Sequence, residues 1–245
     1  MIPDYVRQYE LLEKSHWWWK ARREIIKRKL LTLSAGRRLN GKFSLLDMGC
    51  GSGITLKSLK DDFECYGLEP DPLLVERARQ NSEVPVLQGA LPQAVPDFGR
   101  KFDFVLLLDV LEHIEDDVKA LQTVKSMLNP GGQIIINVPA FSFLWSIHDE
   151  VNEHKRRYEV DKLKTKIQSA GLKLRSVEFW CTCFFLIVYL VRKCFARKTT
   201  SMQHYRVRIP PRAINLFLER FVVFEHSFLQ RVQAPFGLSL MVVME

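Results

Sequence analysis

Nowhere does the chain carry an apolar run long enough to cross a bilayer. Its best candidate, Phe179 to Val191, holds thirteen residues without a charge, where a spanning helix needs about 20. Two phosphate-binding signatures are also missing. No Gly-Lys-Ser/Thr follows four residues after a glycine, which excludes a P-loop. The dinucleotide fingerprint places glycines at relative positions one, three and six; here the sixth place is Ile54 counted from Gly49 and Leu56 counted from Gly51. There are no internal repeats, low-complexity linkers or charge blocks long enough to impose disorder. Cysteine is scarce and odd in number, at 50, 65, 181, 183 and 194, with no secretory signal at the start. A reducing, cytoplasmic setting is therefore expected. Cys181 and Cys183 have the wrong spacing for a zinc knuckle and no partner pair, so no metal centre is expected and they read as apolar filler.

What the chain does carry is the run Leu45-Leu46-Asp47-Met48-Gly49-Cys50-Gly51-Ser52-Gly53. Phe43 to Leu46 reads as a buried parallel strand, an acid closes it, and three alternating glycines lead into Ile54 to Leu59, which reads as a helix. Glycine, lacking Cβ, lets a ligand approach the backbone, although a plain tight turn has the same composition. An acid just before the glycines would repel a diphosphate at the helix N-terminus. It favours a cationic ligand such as S-adenosylmethionine, whose ammonium and sulfonium Asp47 can meet directly or through water. The next strand, Cys65 to Leu68, ends in Glu69, twenty residues after Gly49, where an acid can accept both ribose hydroxyls.

With these residues in place, the chain resembles the class I methyltransferases that use S-adenosylmethionine, over roughly residues 43 to 140. The resemblance implies an α/β fold: a Rossmann-like, seven-stranded, mostly parallel sheet with helices on both faces. It also implies that Asp47, Gly49, Gly51, Gly53, Glu69 and the adjoining Pro70 bind the cofactor. Gln88-Gly89-Ala90-Leu91-Pro92 resembles the loop that covers the adenine, although the family often has an aspartate where this chain has Ala90. The exocyclic amine would then rely on backbone contacts. Phe102 to Leu108 reads as the fourth strand, and Asp109-Val110-Leu111-Glu112-His113-Ile114 resembles the segment lining the methionine end. Asn129 to Gly132 reads as a turn before a fifth strand, Gln133 to Val138. His16-Trp17-Trp18-Trp19, and Leu144-Trp145-Ser146 on to His154-Lys155-Arg156-Arg157-Tyr158, resemble a subgroup of bacterial-type methyltransferases, with a more distant likeness to the ubiquinone-pathway O-methyltransferases.

Four segments are expected: a helical N-terminal lid over 1–42, a Rossmann-like core over 43–180, a helical insertion over 181–235 and a final strand over 236–245. Leu172 to Phe179 and Leu238 to Met244 resemble the antiparallel hairpin that closes such a sheet. Charge follows this division. Residues 1–42 carry +7, 181–245 carry +6 and the middle −5, for a net +8. Basic appendages on an acidic core suit an anionic partner. Phe184 to Val191 is uncharged and Arg192, Lys193, Arg197 and Lys198 follow, a pattern for a helix lying at the inner face of an anionic membrane. A buried cap helix is the alternative. Nucleic acid is not expected, since no RNA-binding module is present, and the oligomeric state is not legible.

Methyl transfer is an in-line displacement, and holding the acceptor aligned supplies much of the rate. An oxygen acceptor also needs its proton removed, and His113, His148 and His154 are the available imidazoles. His113 is the foremost candidate because it follows the fourth strand at the carboxyl edge, where open α/β sheets bind ligands. Packing or capping is its other reading. His148 and Asp149 read as neighbours on a strand-like loop, whose side chains point apart. Lys155, Arg156 and Arg157 read either as a solvated face or as a grip on an anionic substrate group, with Tyr158 packed beneath. Trp17, Trp18 and Trp19 cannot share one helix face, so at least one is expected at the cofactor cleft, taken as Trp18, or at a neighbouring segment or a membrane interface. Arg22 or Arg23, taken as Arg22, pairs the cofactor carboxylate if these helices fold over the cleft, and a purely structural lid is the alternative. The expected acceptor is a small molecule with an oxygen nucleophile, lipid-like or lipid-linked. A soluble N-methyltransferase and a non-catalytic cofactor-binding protein are the alternatives.

Overall fold

Runs of β-branched and aliphatic residues bounded by glycine, proline and acids set the strands of the sheet. The computed structural model describes residues 3–36, 41–195, 207–230 and 234–245. Seven strands, β1 (Ser44–Met48), β2 (Glu64–Glu69), β3 (Val86–Gln88), β4 (Phe102–Leu108), β5 (Leu128–Pro139), β6 (Leu174–Trp180) and β7 (Ser239–Met244), form one sheet. Their order is β3-β2-β1-β4-β5-β7-β6. β7 runs antiparallel to both β5 and β6, and the remaining pairs are parallel.

Every residue of β1 and of β7 is buried, as expected for strands covered on both faces. Alternation sorts their side chains between two cores. Leu45, Phe104, Leu106, Ile135 and Val243 face one side, against α2 (Trp17–Ser34), α3 (Ile54–Leu59), α4 (Pro72–Ser82) and α9 (Arg212–Leu229). Leu46, Val105, Leu107, Ile136 and Val242 face the other, against α5 (Asp117–Ser126) and α7 (Val160–Ser169). The remaining helices are α1 (Pro3–Ser15), α6 (Ile147–Val151) and α8 (Phe185–Phe195).

Two local expectations change. Asn129 to Gly132 is not a turn ahead of β5 but part of it: pairing with β4 slips between Phe102↔Leu128 and Phe104↔Gln133, so the glycines are taken up as a bulge. His148 and Asp149 lie in α6, not on a strand-like loop, because Ser146 and Asp149 form a capping box that starts a short helix.

The N-terminal helices and the insertion are tied together. Asn215 on α9 donates to the Ser15 carbonyl at 2.8 Å and accepts from the Trp17 amide at 2.9 Å, and Lys20 pairs with Glu219. α8 does not behave as a buried cap, since Leu186, Ile187, Leu190 and Val191 are about half exposed or more. Lys193 points outward, whereas Arg192 turns in toward the Leu144 carbonyl. The expected basic partners Arg197 and Lys198 lie outside the described residues. Among the described residues no helix is long and apolar enough to cross a membrane.

Candidate active site at the carboxyl edge of the sheet

After β1 the chain turns through Gly49, Gly51 and Gly53 at φ 77°, 56° and 79° before α3 begins. At Gly51 an added Cβ would meet Glu13 Oε1 and Tyr9 Cε1 at 3.0 Å, so a side chain there is opposed by both conformation and space. Asp47, at the end of β1, is buried and its Oδ1 has no hydrogen-bond partner among the described residues. Burial pushes its pKa up to about 7. Glu69, at the end of β2, accepts from the Gly51 amide at 2.9 Å and the Asp71 amide at 3.2 Å, and burial raises it as well, to about 7. Beside it the Pro70 carbonyl accepts from Gln88 Nε2 at 3.2 Å. Gly89 donates its amide to the Glu69 carbonyl at 3.1 Å, and Ala90 pairs with Ala94 across the following turn. Leu91 and Val110 are partly buried against the second core.

α1 lies over this loop. Glu13, 3% exposed, accepts from the Ser52 amide at 2.8 Å and from the Ser52 hydroxyl. Burial holds its pKa, and that of Tyr9, above the usual range. The Ser52 amide, just ahead of α3, is thus met by a carboxylate of the chain itself.

Next to the loop opens a cavity of about 610 Å³. Its walls include Trp17, Trp18 and Trp19, Arg22, Gly49, Leu108, Asp109 and the imidazoles of His16, His113, His148 and His154. All three tryptophans therefore reach it. Trp18 also packs on Trp180, ring centroids 4.4 Å apart. Arg22 is buried and paired with Asp109. Asp109 accepts from Asn137 Nδ2 at 2.5 Å, and Asn137 accepts from Trp180 Nε1 at 2.7 Å, so a connected polar chain runs from the cavity wall at Asp109 into the core. Of the expected cofactor residues, Trp18, Arg22, Gly49 and Asp109 line the cavity, while Gly51 and Glu69 lie outside its lining, with Gly51 directly under α1.

All three candidate histidines reach the cavity, and the aspartate beside His148 serves His154 instead. Asp149 Oδ1 lies 3.0 Å from His154 Nδ1 and accepts from Arg157 Nε at 2.7 Å. Those contacts outweigh burial and hold its carboxyl far below the usual range. The His113 and His154 rings are 4.8 Å apart and close to perpendicular. Burial lowers His113, with His154 adding to the effect, and burial takes His148 down to about 4. Arg157 is buried at the cavity wall, so the expected basic face is divided: Arg156 pairs with Asp117 at 2.9 Å, and Tyr158, 2% exposed, packs below.

Comparison with known proteins places the chain. A model described as a methyltransferase domain matches residues 18–177. The chain belongs to the methyltransferase-domain family. Its seven-stranded, mostly parallel sheet is the Rossmann-like fold of solved methyltransferases. It is similar to the ubiquinone biosynthesis O-methyltransferase of Methylobacterium nodulans, 35% identical over 94 residues, covering 36% of this chain and 38% of that protein. It also resembles the Vibrio vulnificus enzyme of the same name, 26% identical over 160 residues, 59% of this chain and 67% of that one. The matches thus span about a third to two thirds of these relatives' length. Among solved structures, an S-adenosylmethionine-dependent methyltransferase from Archaeoglobus fulgidus shares the fold, with TM-score 0.54, 20% identity and coverage of 96% and 98%.

Sequence reasoning misses Tyr9 and Glu13; it names Glu112, Asp149 and Arg157 but not the contact of Asp149 with His154 and Arg157. For Glu13 a signal exists: it falls at helical spacing from Val6 and Tyr9, so an acid sits on the buried face of α1. For Asp149 and Arg157 no local pattern announces the pairing, which depends on how the segment after β5 folds back.

Proposed function

We propose that this methyltransferase methylates a hydroxyl of a lipid-like or lipid-linked small molecule held in the tryptophan-lined cavity. The observation that carries the reading is the cavity's position: it opens on Gly49, Leu108 and Asp109 at the carboxyl edge of β1 and β4, and it combines an apolar wall of Leu12, Trp17, Trp19, Val151, Val188 and Leu238 with the His113–His154 pair. Such a mixture suits an amphipathic acceptor whose polar end must lose a proton. The relatives named as O-methyltransferases support an oxygen acceptor. The exposed apolar residues of α8 support delivery of that acceptor from a membrane surface.

Two buried carboxylates at neighbouring strand ends support the cofactor assignments. When bound, S-adenosylmethionine supplies a methyl group on a cationic sulfur. Asp47, whose buried oxygen lacks a partner, balances that positive charge, and Glu69 receives the ribose hydroxyls. Gly49, Gly51 and Gly53 give the loop its positive-φ path, with Glu13 and Tyr9 over Gly51 until the ligand displaces them, and Pro70, Gly89, Ala90 and Leu91 lie around the adenine. Asp109 and Val110 border the methionine end, closed by Trp18 and Arg22. The acceptor's proton leaves at the His113–His154 pair, and the Asp149 contact fixes the His154 ring.

Two measurements test this. S-adenosylhomocysteine binding by calorimetry should vanish in Gly51→Val and weaken by about 1.5 to 3 kcal/mol in Glu69→Ala, the range for a hydrogen bond to a charged group. Isotope-labelled S-adenosylmethionine, incubated with the protein and a total lipid extract, should put label into an organic-soluble ether. Label confined to water-soluble amines would overturn the lipid hydroxyl reading.

A further inference from the structure

At the cavity wall a carboxylate and two imidazoles meet with no protein cation bonded to the carboxylate. We propose that Glu112, His113 and His154 form a binding site for one divalent first-row transition ion. One ligand atom from each lies within 4.8 Å of the other two.

Three observations support the site beyond proximity. First, Glu112 is fully buried and neither of its oxygens has a hydrogen-bond partner among the described residues. A carboxylate in that position is costly unless a cation or donors meet it. The neighbouring guanidiniums bond elsewhere, Arg22 through Nη1 to Asp109, its Nε having no partner among the described residues, and Arg157 to Asp149 and the Ala140 carbonyl. Second, His154 is oriented as a metal-bound imidazole is, with Nδ1 held by a carboxylate so that Nε2 is left for the ion. Asp149 provides that hold at 3.0 Å, and is itself fixed by Arg157 Nε at 2.7 Å and the Ser146 amide at 2.9 Å. Third, the three ligands come from two segments that the fold locks together: the Lys155 amide donates to the Glu112 carbonyl at 2.8 Å.

A tetrahedral ion with bonds of about 2.0 to 2.2 Å needs ligand atoms about 3.4 Å apart. The site therefore contracts by roughly an ångström on loading. One carboxylate and two imidazoles suit zinc, manganese, cobalt or iron better than magnesium, which prefers an all-oxygen shell. The remaining coordination positions face the cavity. This rests on the function proposed above for its purpose and changes one step of it: with both imidazoles on the ion they no longer take the proton, and a hydroxyl bound to the ion instead ionises nearer neutral pH, its proton passing to water.

The test uses the full chain stripped with EDTA and titrated with Co2+, followed by visible absorption, and then with Zn2+ by calorimetry. One ion per chain should bind, with Zn2+ displacing Co2+. Glu112→Gln and His154→Ala should each lower ion affinity by at least about tenfold, while S-adenosylhomocysteine affinity, which reports an intact fold, stays within about threefold. The proposal is overturned if the wild-type chain takes up no ion at millimolar Co2+ or Zn2+, or if both variants bind as tightly as wild type. Its failure is separable from that of the function: a chain that binds the ion yet methylates no lipid refutes the substrate reading alone, and one that methylates at full rate after chelation, with no ion bound, refutes the metal site alone.

Discussion

Asp47 and Glu69 end neighbouring strands, and burial raises both pKa values to about 7. The sign of the consequence differs for folding and for binding. An acid whose folded pKa is raised holds its proton more tightly in the native state, so its contribution to stability is complete below the unfolded value near 4 and is lost as pH rises through about 7. Under the proposed assignment binding favours the ionised forms, because Asp47 would meet the ammonium group, which S-adenosylhomocysteine shares with the cofactor, and Glu69 would accept from the ribose hydroxyls. Affinity for S-adenosylhomocysteine should therefore rise from pH 5.5 to 7.5 and level off above, with protons released on binding near pH 6, while the free protein loses stability over the same window. Calorimetry in buffers of different ionisation enthalpy checks the first effect and thermal melts the second. Affinity that falls across the window would remove both carboxylates from the site. These two acids are legible in the sequence, since each follows a short apolar strand and precedes a glycine or proline. The Asp149–His154 contact is not: it needs Asp149 on a short helix and the chain after it folded back, and alternation along an assumed strand gives the wrong neighbour.

At the scale of elements, α1 is the part that most changes the picture drawn from the motifs. The sequence shows a helical segment ahead of the core, and the strands follow the expected order through to the closing hairpin, because hydrophobic runs and turn residues are local signals. That α1 seats Glu13 on the Ser52 amide is a tertiary fact with only a weak local trace. It has a kinetic consequence. The carboxylate and the Tyr9 ring occupy the space above Gly51, so a cofactor reaching Gly51 must first displace them, and the observed affinity is reduced by the fraction of molecules in the closed state. Glu13→Ala should then speed S-adenosylhomocysteine association and tighten its binding. Stopped-flow tryptophan fluorescence reads this directly, since Trp17, Trp18 and Trp19 line the adjoining cavity. Slower association and weaker binding would instead make Glu13 a ligand of the cofactor. α8 is legible as an uncharged helix with a basic end. Its inward contacts, Val188 at the cavity and Arg192 toward Leu144 and Asp149, become visible only once the helix is docked beside α6.

For the whole molecule, the uneven charge and the uneven surface coincide. The stretch from 181 to 245 carries +6, and within it α8 exposes Leu186, Ile187, Leu190 and Val191 while α9 exposes Ile214, Phe217, Phe224 and Phe228. On each helix these positions recur at helical spacing, so each presents a continuous apolar stripe. Lys193, Arg212 and Arg220 are exposed on the same two helices. Arg192 faces the cavity, so it is excluded from the surface argument that the sequence pattern suggested for it. An interfacial surface of this kind uses both terms, apolar insertion and attraction to anionic headgroups, and each fails under a different challenge. Flotation with vesicles containing phosphatidylserine should recover the protein at low salt. Replacing Lys193, Arg212 and Arg220 by glutamine should weaken recovery by about 1 kcal/mol per charge near the surface, as should raising the salt. Phe217→Ser with Phe224→Ser should weaken it at every salt concentration, because burial of apolar area is not screened. Equal recovery on neutral and anionic vesicles would leave insertion without electrostatic attraction. No recovery at low salt would mean that the two stripes meet another protein surface, and the acceptor would then have to reach the tryptophan cavity from solution.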